Sequence, residues 1–313
     1  MFNYSKKELI IEAQKRNFII NTYEKVLRLC EILKYIFNSE YGNMLALKGG
    51  TAINLWLLDL PRLSVDADLD FCLNCDKDKM ILIREKISNF IIKYMQIEGY
   101  VLNPRSKYTH SLDSFVFSYQ TVSGSNDILK IEINYSNRMH VKDIVSSDIV
   151  SSLQKNININ RLANDELIAS KLNALVMRTT PRDVYDIYNL FAIYEKTDLI
   201  KKIAIFYMAL SADIPFNLEQ DLNRCINAIE LLNYNKLRET LIPVLHKNEK
   251  LDIEKMKETV INHLKQLFIL NDSEKEFVNK FNSGVFEQKL LFENYEINDM
   301  QNHPMIKWKI SKS

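Results

Sequence analysis

Residues 48–54 read Lys48-Gly49-Gly50-Thr51-Ala52-Ile53-Asn54, and residues 62–70 read Arg62-Leu63-Ser64-Val65-Asp66-Ala67-Asp68-Leu69-Asp70. The chain has only six glycines in 313 residues, and two of them are adjacent here. Glycine is favoured where the backbone turns sharply or approaches a ligand closely. A phosphate-sized turn followed by carboxylates at alternate positions of a strand is what a site for a metal ion and a nucleoside triphosphate requires.

Strict alternation of apolar and polar residues predicts a strand over 64–71. Successive side chains of a strand point to opposite faces, so one face carries Ser64, Asp66, Asp68 and Asp70. Neighbouring carboxylates raise each other's pKa, and a divalent cation such as Mg²⁺ or Mn²⁺ removes the repulsion. The alternative is an edge strand whose acids face solvent and prevent edge-to-edge pairing.

The glycine turn favours the metal–phosphate interpretation of the acids. The predicted order is strand, Gly49-Gly50-Thr51, helix and then acidic strand. Glycines let backbone amides approach a phosphate, and Thr51 supplies a hydroxyl at a helix N-terminus, where anions are favoured. Lys48 adds a cation to this nucleotide-binding set, the alternative being an ordinary surface lysine.

A third carboxylate comes from the next clearly alternating strand, over 129–135. Its polar face carries Lys130, Glu132 and Asn134. If this strand lies beside the acidic one, Glu132 reaches the same site. The alternative is a half-exposed acid with no role in the site.

Bulk composition indicates an ordinary globular protein. The chain has 47% hydrophobic residues and 26% charged residues, as a folded protein does. Its net charge of +1 excludes a protein that coats nucleic acid through an overall basic surface. No run of about eighteen apolar residues and no signal core is present, so we expect no membrane partner and a cytoplasmic location. Cys72 and Cys75 form a lone CxxC, open to interpretation as a redox dithiol or as two thiols without a role.

Hydrophobic periodicity changes near residue 160. Before it, helical spacing over 6–40 and 76–98 accompanies strand-like segments at 44–47, 64–71, 100–102, 112–121 and 128–135. After it, helical spacing continues over 163–178, 181–195, 197–211, 217–233, 251–270 and 273–293. We therefore expect an α+β domain over 1–160 with N-terminal helices, and a helical domain over 161–313 that contributes to a cleft.

The first segments of the helical half contain a further charged motif. Thr180 and Pro181 form a helix start, with a hydroxyl N-cap followed by proline at the first helical position. Asp183 and Asp186 then share one helix face, since they are three residues apart. The alternative is that both acids merely interact with the helix N-terminus. Lys171 lies on the preceding predicted helix, beside an apolar face. It is a further candidate for the site, and the alternative is that its aliphatic stem only covers that apolar face.

These motifs resemble the AbiEii/AbiGii family of nucleotidyltransferase-fold toxins, within the DNA polymerase β-like nucleotidyltransferase superfamily. The resemblance rests on residues 48–54, 61–69 and 171–188 and spans roughly 44–190. It implies an α+β fold: a polymerase β-like core, which is a mixed sheet with flanking helices, followed by a helical C-terminal domain.

By this resemblance, Asp66 and Asp68 bind the metal ion, Gly50 and Thr51 hold the triphosphate, and Lys171 holds nucleotide phosphates. The full set of candidate catalytic residues is Asp66, Asp68, Glu132, Lys171 and Asp186. The full set of candidate nucleotide-binding residues is Lys48, Gly49, Gly50, Thr51, Ser64, Arg182 and Asp183.

The implied activity is magnesium-dependent transfer of a nucleotidyl group from an NTP to an acceptor hydroxyl, with release of pyrophosphate. The resemblance further implies a toxin of a toxin–antitoxin or abortive-infection system, with RNA as acceptor (the 3′ end of tRNA), a cognate antitoxin and no DNA partner. Two alternatives stay open. One is a nucleotide-binding regulatory module without turnover, and the other is a phosphotransferase on the same metal site.

Overall fold

The computed structural model describes residues 2–151, 153 and 157–311, and these residues form two compact units. Unit 1 comprises Met1–Met139, Ile144–Leu162 and Pro243–Glu249, and unit 2 comprises His140–Asp143, Ala163–Ile242 and Lys250–Ser313. Each unit is therefore built from several stretches of the chain.

Unit 1 contains, among the described residues, one eight-stranded mixed sheet. Its strands are β1 (Leu45–Lys48), β2 (Asp66–Phe71), β3 (Val101–Leu102), β4 (Lys107–Tyr108), β5 (Leu112–Gln120), β6 (Asn126–Asn134), β7 (Val145–Asp148) and β8 (Asn158–Arg161). The strand order is β3-β5-β6-β2-β1-β8-β7, with β4 paired to β5. Strand β2 is antiparallel to β1 and parallel to β6, so the acidic strand is central.

The described residues of unit 1 also form four α-helices, of which the first and the last have side-chain N-caps. They are α1 (Lys6–Lys15), α2 (Ile20–Phe37), α3 (Gly49–Ala52), which continues into a π-helical turn over Ile53–Leu57, and α4 (Lys77–Ile97). Ser5 and Glu8 form a capping box at the start of α1, and the Asp76 side chain accepts from the Lys79 amide at the start of α4. Leu47 and Leu69, paired across β1 and β2, are buried in the core.

Unit 2 is helical throughout its described residues. Its helices are α5 (Asn164–Arg178), α6 (Pro181–Ile193), α7 (Asp198–Ser211), α8 (Leu218–Glu230), α9 (Tyr234–Thr240), α10 (Ile253–Leu267), α11 (Asp272–Asn282), α12 (Lys289–Phe292) and α13 (Pro304–Ile310). Residues 200–210 of α7 are all buried, as expected for the central helix of a bundle. In the described part of the chain, no helix combines the length and apolarity needed to cross a membrane.

The α+β class expected from the sequence is confirmed. The mixed sheet, the helices that flank it and the helical C-terminal half are all present.

Candidate active site

The acidic strand β2 lies between two strands that bring further charged residues beside it. Strand β1 pairs Lys48 with Asp68, and strand β6 pairs Glu132 with Asp68 and Lys130 with Asp66. Because residues paired across neighbouring strands point to the same face, these side chains occupy one face of the sheet. The structure thus brings Glu132 beside the two alternating acids of β2.

The glycine turn lies directly against this face. Gly49 has a φ of 69°, in the left-handed region that favours glycine. A Cβ on Gly49 would lie 3.1 Å from both Cβ and Cγ of Asp68 and closer still to one carboxylate oxygen. A Cβ on Gly50 would lie 2.8 Å from Arg62 Nη2 and 2.9 Å from Ser64 Oγ. Neither position has room for a side chain, so the turn and the acids are tightly fitted.

Gly49→Ala is expected to lower activity at least tenfold, because the new methyl group must displace the Asp68 carboxylate. The matched control is Gly99→Ala, since Gly99 also has a positive φ of 82° but has no atom within 4 Å of the added Cβ. Both variants should lose about 1 kcal/mol of unfolding free energy from backbone strain. Steady-state kinetics and urea denaturation of both variants measure this. Equal activity of the two variants would contradict the close contact with Asp68.

Thr51 is fully buried, and its hydroxyl is used inside the protein. The hydroxyl shares its single hydrogen between two acceptors, Ser64 Oγ at 3.0 Å and the Asp66 carbonyl oxygen. It therefore ties the start of α3 to the acidic strand. The first N–H groups of a helix have no acceptor within the helix. At this turn, the backbone N–H groups rather than the Thr51 hydroxyl are suited to a phosphate.

Thr51→Val is expected to destabilise unit 1 by about 1–2 kcal/mol, because the partly buried hydrogen bond from Thr51 to the Asp66 carbonyl is lost. Thr51→Ser keeps the hydroxyl and should therefore lose less stability than Thr51→Val. Urea denaturation compares the three proteins. Full stability of Thr51→Val, combined with weaker NTP binding, would show instead that the hydroxyl contacts the nucleotide.

Asp70 forms an ion pair with Lys48. Its carboxylate is 1% exposed and lies 2.5 Å from the Lys48 ammonium. The charges of this pair cancel, so Asp70 stands apart from the two acids that precede it on the strand.

The surroundings of Asp68 raise the pKa of its carboxyl group. Burial raises the pKa of Asp68 to about 6; Lys48 lowers this pKa, whereas Asp66 and Glu132 raise it further. Keeping Asp68 ionised therefore costs free energy unless a cation binds nearby. Within the described residues, no group of three or more His, Cys, Asp or Glu side chains is arranged to hold a metal ion by itself. Mg²⁺ commonly uses one or two carboxylates plus substrate phosphates, and Asp66 and Asp68 fit that donor set.

Glu132 carries an ion pair of its own. The Lys130 ammonium lies 2.8 Å from Glu132 Oε2, and the two side chains are 38% and 24% exposed. Burial lowers the pKa of Lys130, but Glu132, Asp66 and Asp68 together raise it above its ordinary value, so Lys130 stays charged. Lys130 was not among the site residues that the sequence predicted, although its alternation with Glu132 was visible.

Unit 2 holds a separate, buried cluster around Lys171. The Lys171 ammonium on α5 lies 2.8 Å from Asp183 Oδ1 and 2.6 Å from Asp186 Oδ2, both on α6. All three side chains are at least 95% buried. The helix start predicted at Thr180 is present: its hydroxyl accepts from the Asp183 amide at 3.3 Å.

Asp183 is the centre of this cluster. Arg178 donates to its carboxylate through Nε at 2.8 Å and Nη2 at 2.9 Å, and the Thr180 hydroxyl donates to it at 2.6 Å. Burial alone would raise the pKa of Asp183, but Lys171 and Arg178 outweigh it and hold the pKa far below its usual range. The Arg182 side chain donates through Nε to the Thr240 carbonyl at 2.7 Å.

Comparison with known proteins identifies the family. A model of the AbiEii family, described as a nucleotidyl transferase toxin of type IV toxin–antitoxin systems, matches residues 31–278. The chain belongs to the AbiEii family. It is therefore a nucleotidyltransferase of a toxin family, and type IV toxin–antitoxin systems pair such a toxin with a cognate antitoxin.

The fold is shared with a solved structure of a nucleotidyltransferase toxin. MenT4, a nucleotidyltransferase toxin from Mycobacterium tuberculosis H37Rv, superposes with a TM-score of 0.67 at 11% identity, and the match covers 99% of each chain. No curated protein matches the sequence. At this identity the likeness concerns the fold, while the AbiEii family match concerns the class of enzyme.

Proposed function

We propose that this AbiEii-family chain is a magnesium-dependent toxin that transfers a nucleotidyl group from an NTP to RNA, with the 3′ end of tRNA as acceptor. The observation that carries this proposal is the contact between the glycine turn and the acidic strand. Gly49 lies against the Asp68 carboxylate, so phosphate-binding amides and metal-binding carboxylates adjoin each other. Such a juxtaposition suits a metal-bound triphosphate.

In this proposal, Asp66 and Asp68 hold Mg²⁺, or Mn²⁺ in its place. The bound ion would supply positive charge that offsets the charge developing on the phosphate oxygens. The amides at the start of α3, around Gly50 and Thr51, orient the triphosphate by hydrogen bonds. Catalysis of this kind consists largely of positioning and charge stabilisation, which preformed backbone donors supply without reorganisation.

Glu132 is the proposed third acid, and it stands where it could take a proton from the attacking hydroxyl of the acceptor. Its register beside Asp68 supports this assignment. Lys48 and Ser64 line the same turn and are assigned to its support. Lys48 neutralises Asp70, and Ser64 accepts from Thr51.

In unit 2, Lys171 is the proposed phosphate-binding residue and Asp186 the acid of the third motif. An ammonium has three N–H donors, and the ion pairs of Lys171 with Asp183 and Asp186 use two of them. We assign Asp183 a positioning role, because it joins Lys171 to Arg178. Arg182 is assigned to the same segment as a helix-anchoring residue through Thr240.

The proposed acceptor and antitoxin follow from the toxin family. NTPs and tRNA both occur in the cytoplasm, so the proposed reaction takes place there, without a DNA or membrane partner. Sequencing RNA 3′ ends after expression of wild type and of Asp68→Ala tests the acceptor. We expect added nucleotides at tRNA 3′ ends with wild type and none with the variant. Unchanged tRNA ends in cells that wild type arrests would contradict the tRNA assignment.

A further inference from the structure

The segment Pro243–Glu249, which we call the strap, belongs to unit 1, although the chain on either side of it belongs to unit 2. Its backbone pairs with the residues that lead into the acidic strand. The Val244 carbonyl accepts from the Leu63 amide at 2.8 Å. Leu245 forms an antiparallel bridge with Arg62. The strap is thus a long-range neighbour of the residues just before β2.

The His246 ring fastens the strap at two backbone carbonyls. Its Nδ1 lies 2.8 Å from the Arg16 carbonyl oxygen, and its Nε2 lies 3.3 Å from the Leu60 carbonyl oxygen. Carbonyl oxygens only accept hydrogen bonds, so each ring nitrogen can bond its carbonyl only as an N–H donor. The ring also stacks on the buried Phe18 ring, with the centroids 4.1 Å apart. The two nitrogens of one ring therefore face two different stretches of unit 1.

The strap meets the backbone at two residues that lie in the left-handed region. Leu60 has a φ of 53° and Asn17 a φ of 56°. The Leu60 carbonyl faces His246 Nε2, and the Asn17 carbonyl accepts from the Lys247 amide at 2.6 Å. A positive φ is unusual for a bulky residue such as leucine and persists only where the surroundings fix it. The strap is part of what fixes Leu60.

Arg62 links this stretch to the glycine turn. Its side chain is 2% exposed, and its Nη1 donates to the Leu63 carbonyl at 2.9 Å. Its Nη2 lies against Gly50, where an added Cβ would be 2.8 Å away. The guanidinium is always charged, so it places a positive charge beside the amides that are proposed to hold the triphosphate. A shift of the backbone between Leu60 and Leu63 would move this charge.

We propose that the strap is part of the nucleotide site, with His246 as a positioning residue. Through the Leu60 carbonyl, His246 holds the backbone that places Arg62 at the glycine turn, and it thereby sets the affinity for the NTP. The inference rests on the proposed function, in which this turn holds the triphosphate.

The variants His246→Gln and His246→Asn separate this role from a general structural one. The side-chain nitrogen of glutamine occupies the position of His246 Nε2, which faces Leu60. The side-chain nitrogen of asparagine occupies the position of Nδ1, which faces Arg16. Each amide donates hydrogen bonds from its nitrogen, so each variant keeps one of the two contacts and loses the other.

The measurements are the Kd of full-length wild type and of both variants for each NTP with Mg²⁺, by isothermal titration calorimetry, and urea denaturation of the three proteins. We expect His246→Gln to bind NTP within about twofold of wild type and His246→Asn to bind it about tenfold more weakly. The KM for the NTP should rise by the same factor in His246→Asn, while kcat changes by less than about twofold. The two variants should have the same urea midpoint, since each has lost one hydrogen bond.

Several results would overturn the inference, and they differ in what else they remove. If the two variants bind NTP equally, or if His246→Gln binds more weakly than His246→Asn, the Leu60 contact does not serve the nucleotide site, and the proposed function stands. A lower urea midpoint for His246→Asn than for His246→Gln would assign the weaker binding to folding and would also contradict the positioning role. If wild type binds no NTP, the proposed function is itself wrong and the inference falls with it.

Discussion

Asp68→Asn is expected to abolish nucleotidyl transfer while making the metal-free protein more stable at pH 7.5. The proposed metal site loses one of its carboxylates, which should lower the rate by about a thousandfold or more. The fold gains stability, because the partly buried Asp68 carboxylate, whose pKa is raised to about 6, need no longer be kept ionised. A shift of about two pKa units sets an upper limit of about 3 kcal/mol on this gain.

The pH dependence has a defined sign. The pKa of Asp68 is about 6 in the folded protein, against 3.8 for an ordinary aspartate, so the native state binds an extra proton between these two pH values. The stability of wild type therefore falls relative to Asp68→Asn as pH rises from about 4 to about 6, and the difference is constant above that window. Thermal unfolding of both proteins in EDTA, between pH 4.5 and 8, measures this difference in stability. Each kcal/mol should appear as a difference of roughly 2–4 °C in melting temperature.

Asp70→Asn is the matched control for this prediction. Asp70 lies on the same strand and the same face, but its partner is the Lys48 ammonium at 2.5 Å. Removing that carboxylate leaves Lys48 without its ion pair, so Asp70→Asn should lower the melting temperature. A lower melting temperature for Asp68→Asn as well would contradict the claim that Asp68 is held ionised at a cost.

Lys171→Met is expected to destabilise unit 2 by about 3–5 kcal/mol, the usual effect of removing one partner from a buried ion pair. The lysine lies between Asp183 and Asp186, at 2.8 and 2.6 Å, and both acids are almost fully buried. In the variant, Arg178 would still bond the Asp183 carboxylate. The free energy of unfolding from urea denaturation is the measurement.

Two further variants make this prediction specific. Lys257→Met removes a lysine from an ion pair on α10 whose partner, Glu254, is 81% exposed, so it should change stability by less than about 1 kcal/mol. Adding Asp186→Asn to Lys171→Met removes the charge of one of the two acids that Lys171 bonds and should recover part of the loss. If Lys171→Met were as stable as Lys257→Met, the buried cluster would not exist as described.

The sequence predicted the acidic face well, because strand alternation alone assigns side chains to faces. The alternation over 64–71 and over 129–135 put Asp66, Asp68 and Glu132 on polar faces, and the structure adds that the two strands are neighbours. Strand neighbours depend on the long-range pairing of the sheet, which local periodicity does not contain. Alternation also puts Lys130 and Glu132 on one face of β6, but it does not show whether two side chains on one face bond each other, as these two do.

The hydrogen-bond partners of side chains were less predictable from the sequence than the strand face on which each side chain lies. The hydroxyl at the start of α3 suggested a phosphate ligand, but Thr51 instead bonds Ser64 and the Asp66 carbonyl, which lie 13 and 15 residues away in the chain. Strand β7 (Val145–Asp148) and helices α9 and α13 were also not predicted. The two helices have seven residues each, too short for a clear apolar period.

The central claim is that this chain transfers a nucleotidyl group, and a labelling experiment with purified protein tests it most directly. Wild type and Asp68→Ala are incubated with Mg²⁺, total RNA and each NTP in turn, labelled with ³²P at the α or the γ position. We predict that α-label enters RNA with wild type, does not enter with Asp68→Ala, and that γ-label leaves as pyrophosphate. Transfer of γ-label alone would indicate a phosphotransferase, and nucleotide binding with no transfer of either label would contradict the account.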